Sequence, residues 1–198
     1  MSNGIKETME ELLRAPAEVK NKLPRALEEI GKYGVANALN ENPDFLYRVL
    51  IQLRKADAAR VFIQVSKAAD KFSDLLWQGI GSRAEQSQSM KSLLTKAERD
   101  IQVNIEASDS PFQCHFMVQR GKITGGSGLL HFKDEDFRFM GPTETLMGLF
   151  IGDLPLGFSN LQLQTAGHSG WMSRVGPIMR EVAKLIKADD GDKTRSGN

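Results

Sequence analysis

The chain has 198 residues, 40% hydrophobic and 26% charged, and its 26 basic against 25 acidic side chains leave a net charge of +1. That balance is ordinary for a globular protein. Residues 1–100 carry 16 basic and 14 acidic groups and the remainder 10 and 11, so neither half has the basic footprint of a nucleic-acid binder. No run approaches the roughly 18 apolar residues of a membrane span. The N-terminal MSNGIKETMEELL is acidic and amphipathic, with no apolar core of a secretory leader. A single cysteine, Cys114, excludes an internal disulfide and fits a reducing compartment, so the expected location is the cytoplasm.

Residues 5 to about 99 read as helical throughout. Ile5, Met9, Leu12 and Leu13 share one face, interrupted at Pro16. Pro24 is suited to open a second helix that ends near Gly31 and Gly34. Asn42-Pro43-Asp44 is a helix start, with Asn42 as cap, Pro43 pre-set for the first turn and Asp44 at the positive end of the dipole. Phe45, Val49, Leu50 and Leu53 form the next stripe. Asp57 is placed to cap a helix carrying Val61, Val65, Ala68, Phe72, Leu75 and Leu76, which Gly79 and Gly81 break. A more polar helix is expected from about Arg83 to Arg99, with Met90, Leu93, Leu94 and Ala97 on one side.

The period switches at Asp100. Ile101, Val103 and Ile105 alternate with Gln102, Asn104 and Glu106, the pattern of a half-buried strand. Turn chemistry follows at Ser108–Pro111. In FQCHFMVQ, Phe112, Cys114, Phe116 and Val118 face inward while Gln113, His115 and Gln119 face out. Arg120-Gly121-Lys122 reads as a tight turn into a third strand holding Ile123 and Leu130. Gly125, Gly126 and Gly128 interrupt that strand, which implies a bulge, a sharp twist or close approach by another backbone. Such a sheet, of about five strands with one apolar face, needs helices to cover it.

From Asp136 to Ile186 the signals run strand, helix, loop, strand, helix. DFRFM places Phe137 and Phe139 on one face. Gly141-Pro142 opens a short helix with Leu146, Leu149 and Phe150 apolar, closed by Gly152. After a Pro and Gly loop, LQLQT turns Leu161, Leu163 and Thr165 one way and Gln162 and Gln164 the other, up to Gly167. The last segment spaces Trp171, Val175, Ile178, Val182 and Leu185 by four and three, with Met172 and Met179 beside them. Pro177 inside it costs ~3 kcal/mol in a regular helix, so either a kink or a fresh helix start is expected there. Residues 188–198 have nothing to bury and read as a disordered tail.

Several short motifs invite chemistry. GIGSRA (Gly79–Ala84) fits a dinucleotide fingerprint by letters but follows a helical stretch, so a helix-breaking turn is the better account. GGSG (Gly125–Gly128) lacks the helix start that a phosphate cradle needs, and a strand bulge explains it. GHSGW (Gly167–Trp171) approaches a nucleophile elbow and misses its last glycine; His168 or Ser169 is better read as a helix cap. Cys114 and His115 point to opposite faces, so zinc shared with His131 and Asp134 would need a bulge. No catalytic residue, metal or cofactor is assigned.

The order of elements, with Asp136 opening a strand, Gly152 ending a short helix, Phe158 before the next strand, Gly167 closing it and an amphipathic terminal helix, resembles the sterol carrier protein family of nonspecific lipid-binding domains. Residues 101–130 suit that family's opening strands, and the resemblance covers roughly residues 100–187. It implies an α+β fold, about five strands with helices covering one face, preceded by an all-helical region over 1–99 unlike the minimal family pattern. It also implies a non-enzymatic carrier that holds fatty acyl chains, acyl-CoA, sterol-like or isoprenoid lipids in an apolar tunnel between sheet and helices. The residues expected to line that tunnel are Phe112, Phe116, Val118, Phe139, Leu146, Met147, Phe150, Phe158, Leu163, Trp171, Val175, Ile178, Met179 and Val182. Flexible methionines and aromatics suit varied ligands, although ordinary core packing gives the same pattern. The helical half is open to a role in capping the tunnel, forming a homodimer or docking on a protein or membrane. The alternative is a lipid-dependent accessory or assembly protein, for example in quinone or lipid biosynthesis, whose helical half binds a protein partner.

Overall fold

The computed structural model describes residues 3–14, 16–97, 99–131, 133, 135–153 and 163–188. Seven helices come first: α1 (Asn3–Arg14), α2 (Val19–Tyr33), α3 (Val35–Glu41), α4 (Phe45–Lys55), α5 (Ala58–Gln64), α6 (Ser66–Ala84) and α7 (Gln88–Thr95). Strands β1 (Ile101–Ala107), β2 (Gln113–Gln119), β3 (Lys122–Ser127) and β4 (Phe137–Gly141) follow. The chain continues through α8 (Thr143–Phe150), β5 (Gln164–Gly167) and α9 (Met172–Lys187).

Helix boundaries differ from the sequence expectation for local reasons. Pro24 lies inside α2, whose end is set by Gly34 at φ 94°, its N–H donating to the Ile30 carbonyl. The helix after Asn42-Pro43 starts later than expected, with Asp44 at the N-cap and Phe45 as the first residue. Asp57 does cap α5, accepting from the Arg60 N–H at 3.3 Å. The helix expected to run on from there breaks at Val65 (φ −130°, ψ 59°), giving α5 and α6. Gly79 and Gly81 do not break α6. A Cβ at Gly79 would stand 2.8 Å from Leu39 and 2.9 Å from Leu46, so this glycine lets α3 and α4 pack against α6. A new helix begins only at Ser87, whose hydroxyl accepts from the Met90 N–H, and it ends at Thr95 rather than Arg99. Pro177 neither ends nor restarts α9, which runs unbroken across it.

The strands form one mixed sheet in the order β3-β2-β1-β4-β5, with β1 and β4 parallel and the other pairs antiparallel. The fold is therefore α+β. Register assigns the two faces: Val103 is opposite Phe116 and Phe137, and Ile105 is opposite Cys114 and Phe139. All six are buried, and this is the inner face. The outer face carries Gln102, Asn104, Glu106, His115, Met117, Arg138 and Met140. Asn104 is buried there because the returning chain crosses it: its amide accepts from the Leu130 N–H at 2.8 Å and donates to the Leu130 carbonyl at 3.1 Å. Arg138 on the same face pairs with Glu106 at 2.8 Å and Glu135 at 2.9 Å. Asp136 ties the start of β4 to β1, its carboxylate accepting from the Gln102 N–H at 2.9 Å.

Arg120 and Gly121 both take positive φ, 51° and 74°, the two-residue hairpin turn that joins β2 to β3. Asp109, in the turn after β1, reaches the start of α8 and accepts from the Thr143 N–H at 2.8 Å and its hydroxyl at 2.6 Å. One buried apolar cluster extends from α1 through the inner face of the sheet to α9.

Candidate functional site

The inner face of the sheet is roofed differently along its width. At the β2–β3 side the roof is α6, which lies directly on both strands. Trp77 of α6 packs 4.9 Å from the Phe116 ring and edge-on to Phe150 at 5.8 Å. Phe62 of α5 stacks on Phe112 at 5.5 Å, and Phe72 of α6 lies 6.4 Å from it. Edge-to-face and offset contacts at these spacings are favourable aromatic geometries. The close approach explains the glycines of β3. A Cβ at Gly125 would fall 2.5 Å from the His115 carbonyl and 2.6 Å from the Trp77 ring. The strand itself is unbulged, in continuous register from Lys122 to Ser127, which corrects the expectation of a bulge. Its edge is covered as well, since Asp74 of α6 accepts from the Ser127 N–H at 2.7 Å.

At the β4–β5 side the roof is lighter. The eight-residue α8 reaches β1 and β4, presenting Leu146 and Met147, both fully buried. Phe137 and Phe139 lie edge-to-face at 5.0 Å beneath it. Leu163 is 7% exposed, but Thr165 and Gly167, which face inward opposite Phe139 and Phe137, are exposed along with the rest of β5. The inner face thus stays buried as far as β4 and opens at β5 among the described residues.

The tunnel residues expected from sequence therefore fall into groups. Phe112, Phe116, Val118 and Phe150 belong to the aromatic roof under α5 and α6. Phe139, Leu146, Met147 and Leu163 belong to the β4–β5 side. Val175, Ile178, Met179 and Val182 are buried on α9, whose packing partners are helices: α4, α6, α7 and α8. Trp171 is only half-buried, at the short turn before α9, with the Arg174 guanidinium 5.2 Å over its ring. Phe158 lies outside the described residues, as do residues 189–198 of the expected tail. Sequence reasoning missed Phe62, Phe72 and Trp77 as parts of the same roof. The signal for them was the Gly125-Gly126 pair, whose missing side chains are filled by α6.

Other features are chemically quiet. Burial pushes the Cys114 thiol up to about 12, with the Trp77 N–H drawing it the other way, so it stays a neutral apolar group. His115 contacts the Gly128 carbonyl through Nδ1 at 3.1 Å, and His131 Nδ1 accepts from the Lys133 N–H at 3.3 Å. Among the described residues no cluster of histidine, cysteine and carboxylates is placed to hold a metal. His168 Nδ1 accepts from the Gly170 N–H at 3.1 Å, so it caps the short turn before α9 and not α9 itself. GIGSRA lies within the last turns of α6, with no strand before it. No helix among the described residues is long and apolar enough to cross a membrane.

Elsewhere, two cavities are lined by described residues. A void of about 20 Å³ sits among α1, α2, α3, α4 and α6, lined wholly by apolar side chains such as Leu12, Leu27, Phe45 and Leu76. It has the size of a packing defect and not of a ligand. A cleft of about 660 Å³ is bounded by Asn40, Arg83, Ser87, Ser89, Glu181 and Lys184 among others. Its polar groups are largely engaged with one another: Ser89 donates to Glu181 at 3.0 Å and Lys184 to the same carboxylate at 2.6 Å. Arg83 donates to the carbonyls of Leu185 and Pro43.

The geometry is that of an α+β protein whose mixed sheet is covered by α6 at β2 and β3 and, among the described residues, is exposed at β5. No family model and no curated protein matches the sequence. Among solved structures the chain is similar to a conserved hypothetical protein of Thermus thermophilus, described as possibly a sterol carrier protein. That similarity has 14% identity and a TM-score of 0.44, and covers 59% of this chain and 87% of that one. It is also similar to sterol carrier protein 2 of Yarrowia lipolytica in its apo form, with 15% identity, a TM-score of 0.39, and coverage of 58% of this chain and 91% of that one.

Proposed function

We propose that this protein binds and carries long apolar ligands, such as fatty acyl chains, acyl-CoA esters, sterol-like or isoprenoid lipids, without transforming them. The observation that carries the reading is the asymmetric roof. The apolar inner face continues through Phe137 and Phe139, while α8 is short and the inward positions of β5 are exposed. On this reading a flexible chain would enter on that side by displacing side chains, against Phe139, Leu146, Met147 and Leu163, with Trp171 and the α9 residues Val175, Ile178, Met179 and Val182 closing from the helical layer. Phe112, Phe116, Val118 and Phe150 would bound the site where the aromatic roof begins. Each buried ligand methylene contributes ~0.8 kcal/mol, so a long chain needs no specific polar contact. Such a site is selective for length and shape more than for headgroup.

The test is native mass spectrometry with lipid extraction, followed by titration with a fluorescent long-chain fatty acid. The expected result is co-purified lipid and saturable binding. Affinity should fall by a factor of about four for each methylene removed from the ligand. Trp171→Ala, at a half-buried position, should weaken binding and leave the circular dichroism spectrum unchanged. If a protein partner co-purifies in place of lipid and no chain length binds, the assembly-factor reading replaces this one.

A further inference from the structure

Residues 154–180 contain no aspartate or glutamate, although they hold His168, Arg174 and Arg180. The described part of this stretch runs from β5 into α9. β5 ends at Gly167, an exposed inward position in register with Phe137. The chain then turns, the Trp171 N–H donating to the His168 carbonyl at 2.9 Å. Trp171 therefore stands within four residues of the exposed end of β5, half-buried and packed against the apolar core. Arg174 follows by one turn, and its guanidinium lies 5.2 Å over the indole. That stack orders the cation without neutralising it. Arg174 is exposed and makes no ion pair among the described residues. It also stands in the first turn of α9, where the helix dipole disfavours a cation and no acidic side chain offsets it. Asp136, whose carbonyl lies beside Gly167, turns its carboxylate away from β5, to the Gln102 N–H of β1 at 2.9 Å.

We propose that Arg174 receives the oxyanion head, carboxylate or phosphate, of an apolar chain held at the β4–β5 side, so that the preferred ligands are anionic amphiphiles and not uncharged lipids of the same length. A guanidinium already stacked on an indole offers its N–H groups for paired hydrogen bonds with little left to order. The chain supplies most of the affinity, and Arg174 supplies the choice of head. This inference rests on the carrier reading, because it needs an apolar chain in that site.

The experiment is displacement of the neutral dye Nile red from the full chain by dodecanoic acid and by 1-dodecanol, at about pH 8, where the acid is ionised. The wild type should bind the acid about fivefold tighter than the alcohol, and added salt should narrow the gap. Arg174→Gln, at an exposed position, should keep the circular dichroism spectrum, weaken the acid about fivefold and leave the alcohol unchanged. Arg174→Lys, which keeps the charge, should recover part of the loss. Dodecyl phosphate distinguishes the two heads: loss with the acid assigns a carboxylate, and loss with the phosphate alone assigns a phosphate-bearing lipid. Equal affinity of the wild type for all three ligands would overturn the proposal and leave the carrier reading standing. So would an equal loss of acid and alcohol in Arg174→Gln, since that is the mark of a merely structural residue. A wild type that binds none of them would remove the carrier reading and this inference with it.

Discussion

The two sides of the inner sheet face are built from similar residues and packed by different means. Under α6, the missing side chains of β3 admit an indole to within contact of the strand backbone, and six aromatic rings from both halves of the chain interlock. Under α8, two phenylalanines meet a short helix bearing leucine and methionine, and β5 is exposed among the described residues. Rigid rings seated on glycine leave no room for a guest, while a short helix carrying a flexible thioether can shift. The contrast teaches that the apolar pattern of a strand does not say whether it meets core or ligand. What decides is the element laid on top of it.

The largest test of this contrast removes the heavy roof entirely. Residues 100–187 expressed alone would expose Phe112 and Phe116, which α5 and α6 now cover, so we expect no cooperative thermal transition. A cooperative melt with strand signal would instead establish that segment as a domain of its own. Next, Phe116→Ala should cost about 3–5 kcal/mol in chemical denaturation, since its ring is fully buried beside Trp77. Gly125→Ala should cost about 1–3 kcal/mol, because the methyl group has a carbonyl and an indole in its way. The smallest effect, well under half that of Phe116→Ala, is expected for His115→Ala on the half-exposed outer face. Equal losses at 115 and 116 would mean that the outer face carries as much of the fold as the inner one.

Much of this was legible in the sequence. Alternation at 101–106 and 112–118 assigned the inner and outer faces correctly, because a period of two leaves no other solution when one face is buried. Arg120-Gly121 announced its hairpin. Helix ends were less legible: Gly79 looked like a stop and is a packing site, and Val65 looked like part of a stripe and is a break. The role of Gly79 depends on Leu39 and Leu46, distant in the chain. The same holds for the roof, since nothing local to Trp77 says that it meets Phe116. The candidate site was the least legible part. Its residues were chosen as one apolar set, and the fold distributes them between an aromatic roof, a lightly covered strand pair and a helical layer.

Hydrogen exchange measured with and without a saturating long-chain fatty acid tests the central claim most directly. The account predicts added protection in residues 137–150 and 163–175, with the amides of α6, β2 and β3 unchanged. Protection centred instead on α6, β2 and β3, or no change anywhere under conditions of demonstrated saturation, would contradict it.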